Sequence, residues 1–174
     1  MSTLPEPWLR GPVEGIPRLL QPAAHALLMA LEDTTAAASG LSVEQLWSRP
    51  GGAASIGFHL MHLAGATDRL FTYARAEALS ADQREQLARE QTPGDPPPAL
   101  DVLLSEWDVT VKRALAQLAS TDESALAEPR FVGRAKLPSN TLGLLFHAAE
   151  HASRHTGQLV TTAKIVKSSL GARG

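Results

Sequence analysis

Residues 144–159 read LLFHAAEHASRHTGQL. Three histidines, His147, His151 and His155, recur four residues apart, and apolar residues flank them on the same side. Because each residue of an α-helix turns by ~100°, positions four apart differ in direction by only ~40°. The stretch therefore predicts a long amphipathic helix, over residues 141–167, with the three imidazoles along one face.

Three more long helices are predicted from apolar residues that recur at three- and four-residue spacing, at residues 17–38, 56–79 and 100–118. Pro17 suits the first turn of a helix, where its missing N–H costs nothing, and Ser55 suits a helix cap. Ser139 or Asn140 would cap the last helix. Four long helices with mostly short connections predict an all-α fold, a four-helix bundle with short extra segments in the connections.

The connections have their own composition. Residues 41–54 read LSVEQLWSRPGGAA and indicate a connector broken at Pro50. Residues 81–91 are polar, which favours a solvated segment with some helical character. Residues 121–138 indicate an irregular connection with room for a short hairpin near its centre. We divide the chain into an N-terminal arm (1–16), the bundle (17–168) and a C-terminal tail (169–174).

Composition narrows the function. A formal charge of −2 leaves no electrostatic footprint for nucleic acid. No run reaches the roughly 18 to 20 apolar residues of a membrane span, and the N-terminus lacks the features of a signal peptide. The chain has no cysteine, so any metal must be bound by nitrogen or oxygen donors, and a cytoplasmic location is the default expectation.

The second helix carries two more histidines, His59 and His62. His62 belongs to the apolar stripe and should face the bundle interior, whereas His59 lies ~60° off that line. Facing helices of a bundle often build metal sites together. One ligand from this helix and two from the last would leave open coordination positions, which is typical of catalytic sites. A lone helical histidine is more often a buried polar residue, so a purely structural role stays open.

Two segments carry a family resemblance: SIGFHLMHLA at 55–64 and EHASRHTGQ at 150–158, with WSRPGG at 47–52 leading into the first. Together they resemble the DinB-like superfamily of damage-inducible-type metalloenzymes, across about residues 17–165. The resemblance implies that His62, His151 and His155 bind one divalent metal ion. It leaves His147 as a packing or ligand-orienting residue, His59 as a ligand-orienting or surface residue, and His25 as a core or interface residue.

The resemblance also implies a range of functions. Relatives include thiol-dependent transferases and isomerases that use bacterial low-molecular-weight thiols, and others resemble hydrolases. We therefore expect a metal-dependent enzyme acting on a small molecule, with a thiol-dependent S-transferase ahead of a metal-dependent hydrolase. A non-catalytic metal-binding stress-response module and a plain helical interaction domain are the alternatives. Zinc, nickel or iron suits the imidazoles, and relatives suggest a homodimer.

Each ligand histidine needs an acceptor for its second ring N–H. Asp68, six residues after His62, and Glu150, beside His151, are the carboxylates that sequence position offers. Helix directions favour neither of them. The sequence indicates no general base.

Overall fold

The computed structural model describes residues 4–171, so Met1–Thr3 of the predicted arm and residues 172–174 of the predicted tail lie outside it. Within residues 4–171 the chain forms six α-helices and one antiparallel β-hairpin. The helices are α1 (Gln21–Ala38), α2 (Val43–Trp47), α3 (Ile56–Ala74), α4 (Ala81–Arg89), α5 (Leu100–Ser120) and α6 (Thr141–Gly171). The strands are β1 (Pro129–Val132) and β2 (Leu137–Asn140).

The long helices α1, α3, α5 and α6 form a four-helix bundle. Each packs against two others, α1 and α3 both lying against α5 and α6. Leucines and alanines from all four fill the interior around Trp107, which is fully buried. The predicted all-α bundle is confirmed. No helix within residues 4–171 combines the length and apolar character needed to cross a membrane.

The first helix begins later than predicted. Residues Arg18–Leu20 form a single 3-10 turn, and α1 starts at Gln21 with Pro22 in its first turn. A helix starting at 17 would place Pro22 in its interior, where the ring clashes with the carbonyl four residues earlier and a hydrogen bond is lost. Pro22, rather than Pro17, therefore sets the start of the helix.

The second long helix ends earlier than predicted, at Ala74 rather than 79. Ala76 adopts a left-handed conformation, with φ of 62°, and turns the chain back. Ser80 then caps α4, whose Gln83 side chain donates hydrogen bonds to α3, at 2.6 Å to Asp68 and 2.7 Å to Thr72. The polar segment is helical and largely exposed, as expected, and it contacts α3 through Gln83.

The two helices that carry the histidines are capped as the sequence predicts. Oγ of Ser55 accepts from the N–H of Phe58 at the start of α3, at 3.1 Å. Oδ1 of Asn140 accepts from the N–H of Gly143 at the start of α6, at 2.7 Å. Each cap satisfies a backbone donor that has no partner within its own helix. The caps fix where each helix starts and hence which face its histidines present.

Candidate metal centre

The structure brings His62 of α3 together with His151 and His155 of α6. One ring nitrogen from each histidine can be chosen so that all three atoms lie within 4.8 Å of one another. Nε2 of His62 lies 2.8 Å from Nε2 of His151. The ring centroid of His155 lies 4.5 Å from those of both other histidines. Across residues 4–171 this is the one group of three or more metal-ligating side chains with such spacing.

A buried carboxylate outside the bundle helices orients His62. Glu90 directly follows α4, and its Oε2 lies 2.7 Å from Nδ1 of His62. Its other oxygen accepts a hydrogen bond from Arg69 of α3, at 2.7 Å. Because a carboxylate only accepts, Nδ1 of His62 carries the proton and Nε2 is directed at the histidines of α6. A ligand histidine held by a carboxylate in this way is a common arrangement at metal sites.

The absence of a side chain at Gly65 makes room for this carboxylate. A Cβ atom added to Gly65 would lie 2.5 Å from Oε1 of Glu90 and 2.7 Å from a guanidinium nitrogen of Arg69. Both distances are too short for real atoms, so a side chain here would force the ends of Glu90 and Arg69 to move from their present positions. The pair is almost wholly buried, at 4% and 8% residue exposure.

A fourth histidine contacts the cluster. Nδ1 of His59 lies 3.0 Å from Nδ1 of His155, and His59 is only 3% exposed. When Nδ1 of His155 donates and Nδ1 of His59 accepts, Nε2 of His155 carries no proton and is available for a metal ion. Sequence reasoning left His59 between the core edge and the surface, and the structure buries it against a predicted ligand.

Burial favours the neutral form of three of these histidines, His59, His151 and His155. Burial, reinforced by the neighbouring histidines, lowers the pKa of His155 to about 4 and that of His151 below its usual value. Burial and the nearby His62 lower the pKa of His59 to about 4. Burial by itself raises the pKa of Glu90, but hydrogen bonds from His62 and Arg69 outweigh it, so the net pKa is lowered. Neutral imidazoles are the form that binds metal ions.

The remaining predicted residues are not part of the three-histidine group, although the His147 ring lies 5.6 Å from that of His151. His147 is half-exposed, and its Nδ1 lies 3.3 Å from Oε2 of Glu150. His25 hydrogen-bonds through Nε2 to the carbonyl oxygen of Gly11, at 3.0 Å, and so ties the N-terminal segment to α1. Asp68 accepts from Gln83, and Glu150 accepts from Arg154. The prediction that one of these carboxylates orients a ligand histidine was therefore wrong, because neither hydrogen-bonds to His62, His151 or His155.

Glu90 is the residue that sequence reasoning missed. Glu90 lies near the end of the polar segment 81–91, which we expected to be solvated, and the sequence of that segment does not distinguish Glu90 from its neighbours. The available signal was on α3, where Arg69 lies seven residues after His62 and therefore on the same inward face. A buried arginine requires an anionic partner, and that requirement pointed to a carboxylate from another segment.

The residues present fit a divalent metal ion. The donor set is three imidazoles, one of them held by a carboxylate, and the chain has no thiolate to compete. Three imidazole nitrogens within 4.8 Å of one another suit zinc, nickel or iron and would leave further coordination positions open. Fold and site together define a class: a helical bundle with a three-histidine cluster compatible with a divalent metal ion.

A comparison with protein families gives the same class. The DinB superfamily model matches residues 26–159, from within α1 to within α6 and across all three clustered histidines. This protein belongs to the DinB superfamily, as the sequence resemblance predicted. No curated protein matches the chain.

Proposed function

We propose that this protein is a divalent-metal-dependent enzyme whose metal ligands are His62, His151 and His155. The observation that carries the proposal is the convergence of three imidazoles from two helices, with two Nε2 atoms 2.8 Å apart. Two unprotonated nitrogens this close repel each other, so either a proton or a cation must lie between them. The ordered support from Glu90 and His59 favours a metal site over chance proximity.

We further propose that the reaction is the transfer of a group to a thiol. A divalent ion held at the cluster would act as a Lewis acid that lowers the pKa of a bound thiol toward neutrality. The transfer forms a bond between the thiol sulfur and an electrophilic carbon, and it releases the thiol proton and the leaving group. The histidines hold the ion, and Glu90 fixes the orientation of His62.

The carboxylates beside the cluster favour a thiol over water as the nucleophile. Activation of water in a hydrolase is assisted by a base whose pKa lies near the working pH. Glu90 and Glu150 each accept from an arginine, and the pKa of each is lowered. Both are therefore weak bases. Metal-dependent hydrolysis and a non-catalytic metal-binding role remain the alternatives against which the transferase is tested.

Metal binding is tested first, by metal analysis of untagged protein and by calorimetric titration with Zn²⁺. We expect one ion per chain and loss of binding in His62→Ala, His151→Ala and His155→Ala. His147→Ala is the matched control, since it removes an imidazole one turn away on the same helix face. Equal loss of binding in His147→Ala and His151→Ala would contradict the ligand assignment.

The reaction is tested on the metal-loaded protein. A panel of low-molecular-weight thiols is offered with the electrophile 1-chloro-2,4-dinitrobenzene, and the His151→Ala protein serves as the metal-free control. Thiol-dependent and metal-dependent product formation supports the transferase. A rate that is flat across thiols, together with metal-dependent ester cleavage, would replace the transferase with the hydrolase. If the protein catalyses neither thiol transfer nor ester cleavage, the non-catalytic metal-binding role is the alternative that stands.

We also propose a homodimer, supported by an exposed apolar surface between α1 and α6. Leu19 and Phe146 are 63% and 60% exposed there, on either side of a groove of about 500 Å³. Light scattering coupled to gel filtration decides the oligomeric state. We expect Phe146→Ser to shift the protein toward the monomer. Ile165→Ser, on an apolar residue of α6 outside the groove, serves as the control.

A further inference from the structure

A cleft of about 420 Å³ lies beside the histidine cluster. Its walls come from the segment joining α2 to α3 and from the Pro-rich segment before α5. Two of its lining residues also contact His62: the Phe58 ring stacks on the imidazole at 5.5 Å, and Glu90 bonds to Nδ1. The cleft has the volume of a small-molecule site, and an occupant would be separated from a predicted metal ligand by one side chain.

The aromatic walls of the cleft are held in fixed positions. Nε1 of Trp47 donates to the carbonyl oxygen of Pro98, at 3.0 Å. The indole also lies against Gly57, where an added Cβ would be 2.7 Å from its Cζ2 atom. The Phe58 ring is held by its stacking on the imidazole of His62. Two fixed flat rings suit a ligand with a flat apolar body.

The charge of the cleft comes from Arg49. Glu90 also lines the cleft, but its negative charge is balanced by Arg69. The backbone carbonyl of Arg49 accepts from the N–H of Gly52, at 3.1 Å, but its guanidinium makes no hydrogen bond or ion pair with any residue between 4 and 171. An unpaired guanidinium presents a planar set of donors that matches a carboxylate. One guanidinium balances the single charge of a carboxylate, whereas a phosphate dianion would keep a second charge without a partner.

We propose that the cleft binds the electrophilic substrate, and that this substrate is a carboxylate with a flat apolar body. Arg49 binds the carboxylate, and the body lies against Trp47 and Phe58. This placement beside His62 rests on the proposed function, which requires a second substrate next to the metal-bound thiol. Binding of the carboxylate itself needs only the cleft.

The experiment follows the indole N–H signal of Trp47 in ¹H–¹⁵N spectra, with Trp47→Phe identifying the signal. Metal-free and zinc-loaded proteins are titrated with phenylacetate, 2-naphthoate and the neutral analogue phenylacetamide. We expect the carboxylates to shift the signal saturably and to bind at least about tenfold more tightly than the amide, as loss of a charged hydrogen bond implies. Arg49→Gln should weaken carboxylate binding by a similar factor.

Arg134→Gln is the matched control, because it removes the same charge from the exposed turn between β1 and β2. It should leave carboxylate binding unchanged. The proposal would be overturned if the carboxylates and the amide bound with equal affinity, or if neither carboxylate shifted the Trp47 signal. Equal effects of the two arginine variants would overturn it as well. Tighter binding of phenylphosphonate than of phenylacetate would also overturn it.

Zn²⁺ titrations of the same variants separate this proposal from the metal site. Arg49→Gln should bind zinc with wild-type affinity, because Arg49 does not contact the histidines. If the protein binds zinc but not the carboxylates, the cleft proposal is wrong and the metal-site proposal stands. Carboxylate binding to protein that does not bind zinc would remove the proposed function and leave the cleft as a carboxylate site.

Discussion

Oε2 of Glu90 lies 2.7 Å from Nδ1 of His62, although Glu90 follows a surface helix and His62 belongs to the bundle. Arg69 holds the second carboxylate oxygen, also at 2.7 Å. The contact therefore joins the segment after α4 to the candidate metal ligand. It fixes the tautomer of His62 and makes the segment after α4 part of the site rather than a simple connection.

Replacing Glu90 with Gln should weaken zinc binding by about 10- to 100-fold, the usual effect of losing a residue that orients a ligand. The amide is uncharged and cannot bind both His62 and Arg69 as the carboxylate does. Calorimetric titration measures the change. Glu85→Gln, which breaks an exposed pair with Arg89, should have no effect. Wild-type zinc affinity in Glu90→Gln would show that Glu90 serves stability alone.

Two glycine substitutions should act in opposite directions. Gly65→Ala places a methyl group 2.5 Å from Glu90, so it should displace the carboxylate, lower the unfolding temperature and weaken zinc binding. Gly157→Ala meets nothing within 4 Å and should stabilise α6 by about 0.5–1 kcal/mol, because alanine loses less backbone entropy. Thermal unfolding and zinc titration of both proteins make the comparison. Stabilisation by both substitutions would argue against the packing at Gly65.

Lowering the pH from 6.5 toward 4 should destabilise the metal-free protein, because buried histidines titrate differently in the folded and unfolded chains. The pKa of His59 and that of His155 are about 4 in the folded protein, against an ordinary value of 6.5. As pH falls below 6.5 the unfolded chain binds protons first, so the free energy of unfolding decreases until pH reaches about 4. Above 6.5 this contribution is fully present.

Urea unfolding at several pH values between 4 and 7 measures this dependence. His59→Gln removes one of the three rings whose pKa is lowered in the folded protein and keeps a hydrogen-bonding group. Its unfolding free energy should therefore vary less with pH than that of the wild type. Identical pH profiles would mean that His59 titrates alike in the folded and unfolded chains.

Removal of metal should lower the unfolding temperature. Free metal at 100 times its dissociation constant stabilises the folded state by about 2.7 kcal/mol. For a chain of this size each kcal/mol corresponds to about 2–4 °C, so EDTA should lower the midpoint by roughly 5–11 °C. Calorimetry with and without EDTA measures the shift. The His151→Ala protein should show none, and an equal shift there would place the metal elsewhere.

Helical periodicity predicted the bundle well, because apolar residues at three- and four-residue spacing specify both the helix and its buried face. Its failures were local. Pro22 moved the start of α1, and the left-handed turn at Ala76 shortened α3. A proline inside the predicted helix could have corrected the first error. The second depended on α4 folding back through Gln83, a contact between segments.

By itself, the sequence determined that the histidines of α6 share one face and that His62 faces the bundle interior, but it left the side of His59 open. Four-residue spacing in α6 and the apolar stripe of α3 settled that matter, since both are local properties of a helix. The tertiary structure decided which rings meet, at 2.8 Å between His62 and His151, and it recruited Glu90 and His59 as their partners. Those contacts depend on how helices pack and where connections return, and no local periodicity encodes them. The hydrogen bond between Glu90 and His62 spans 28 residues, which is why only the folded chain reveals it.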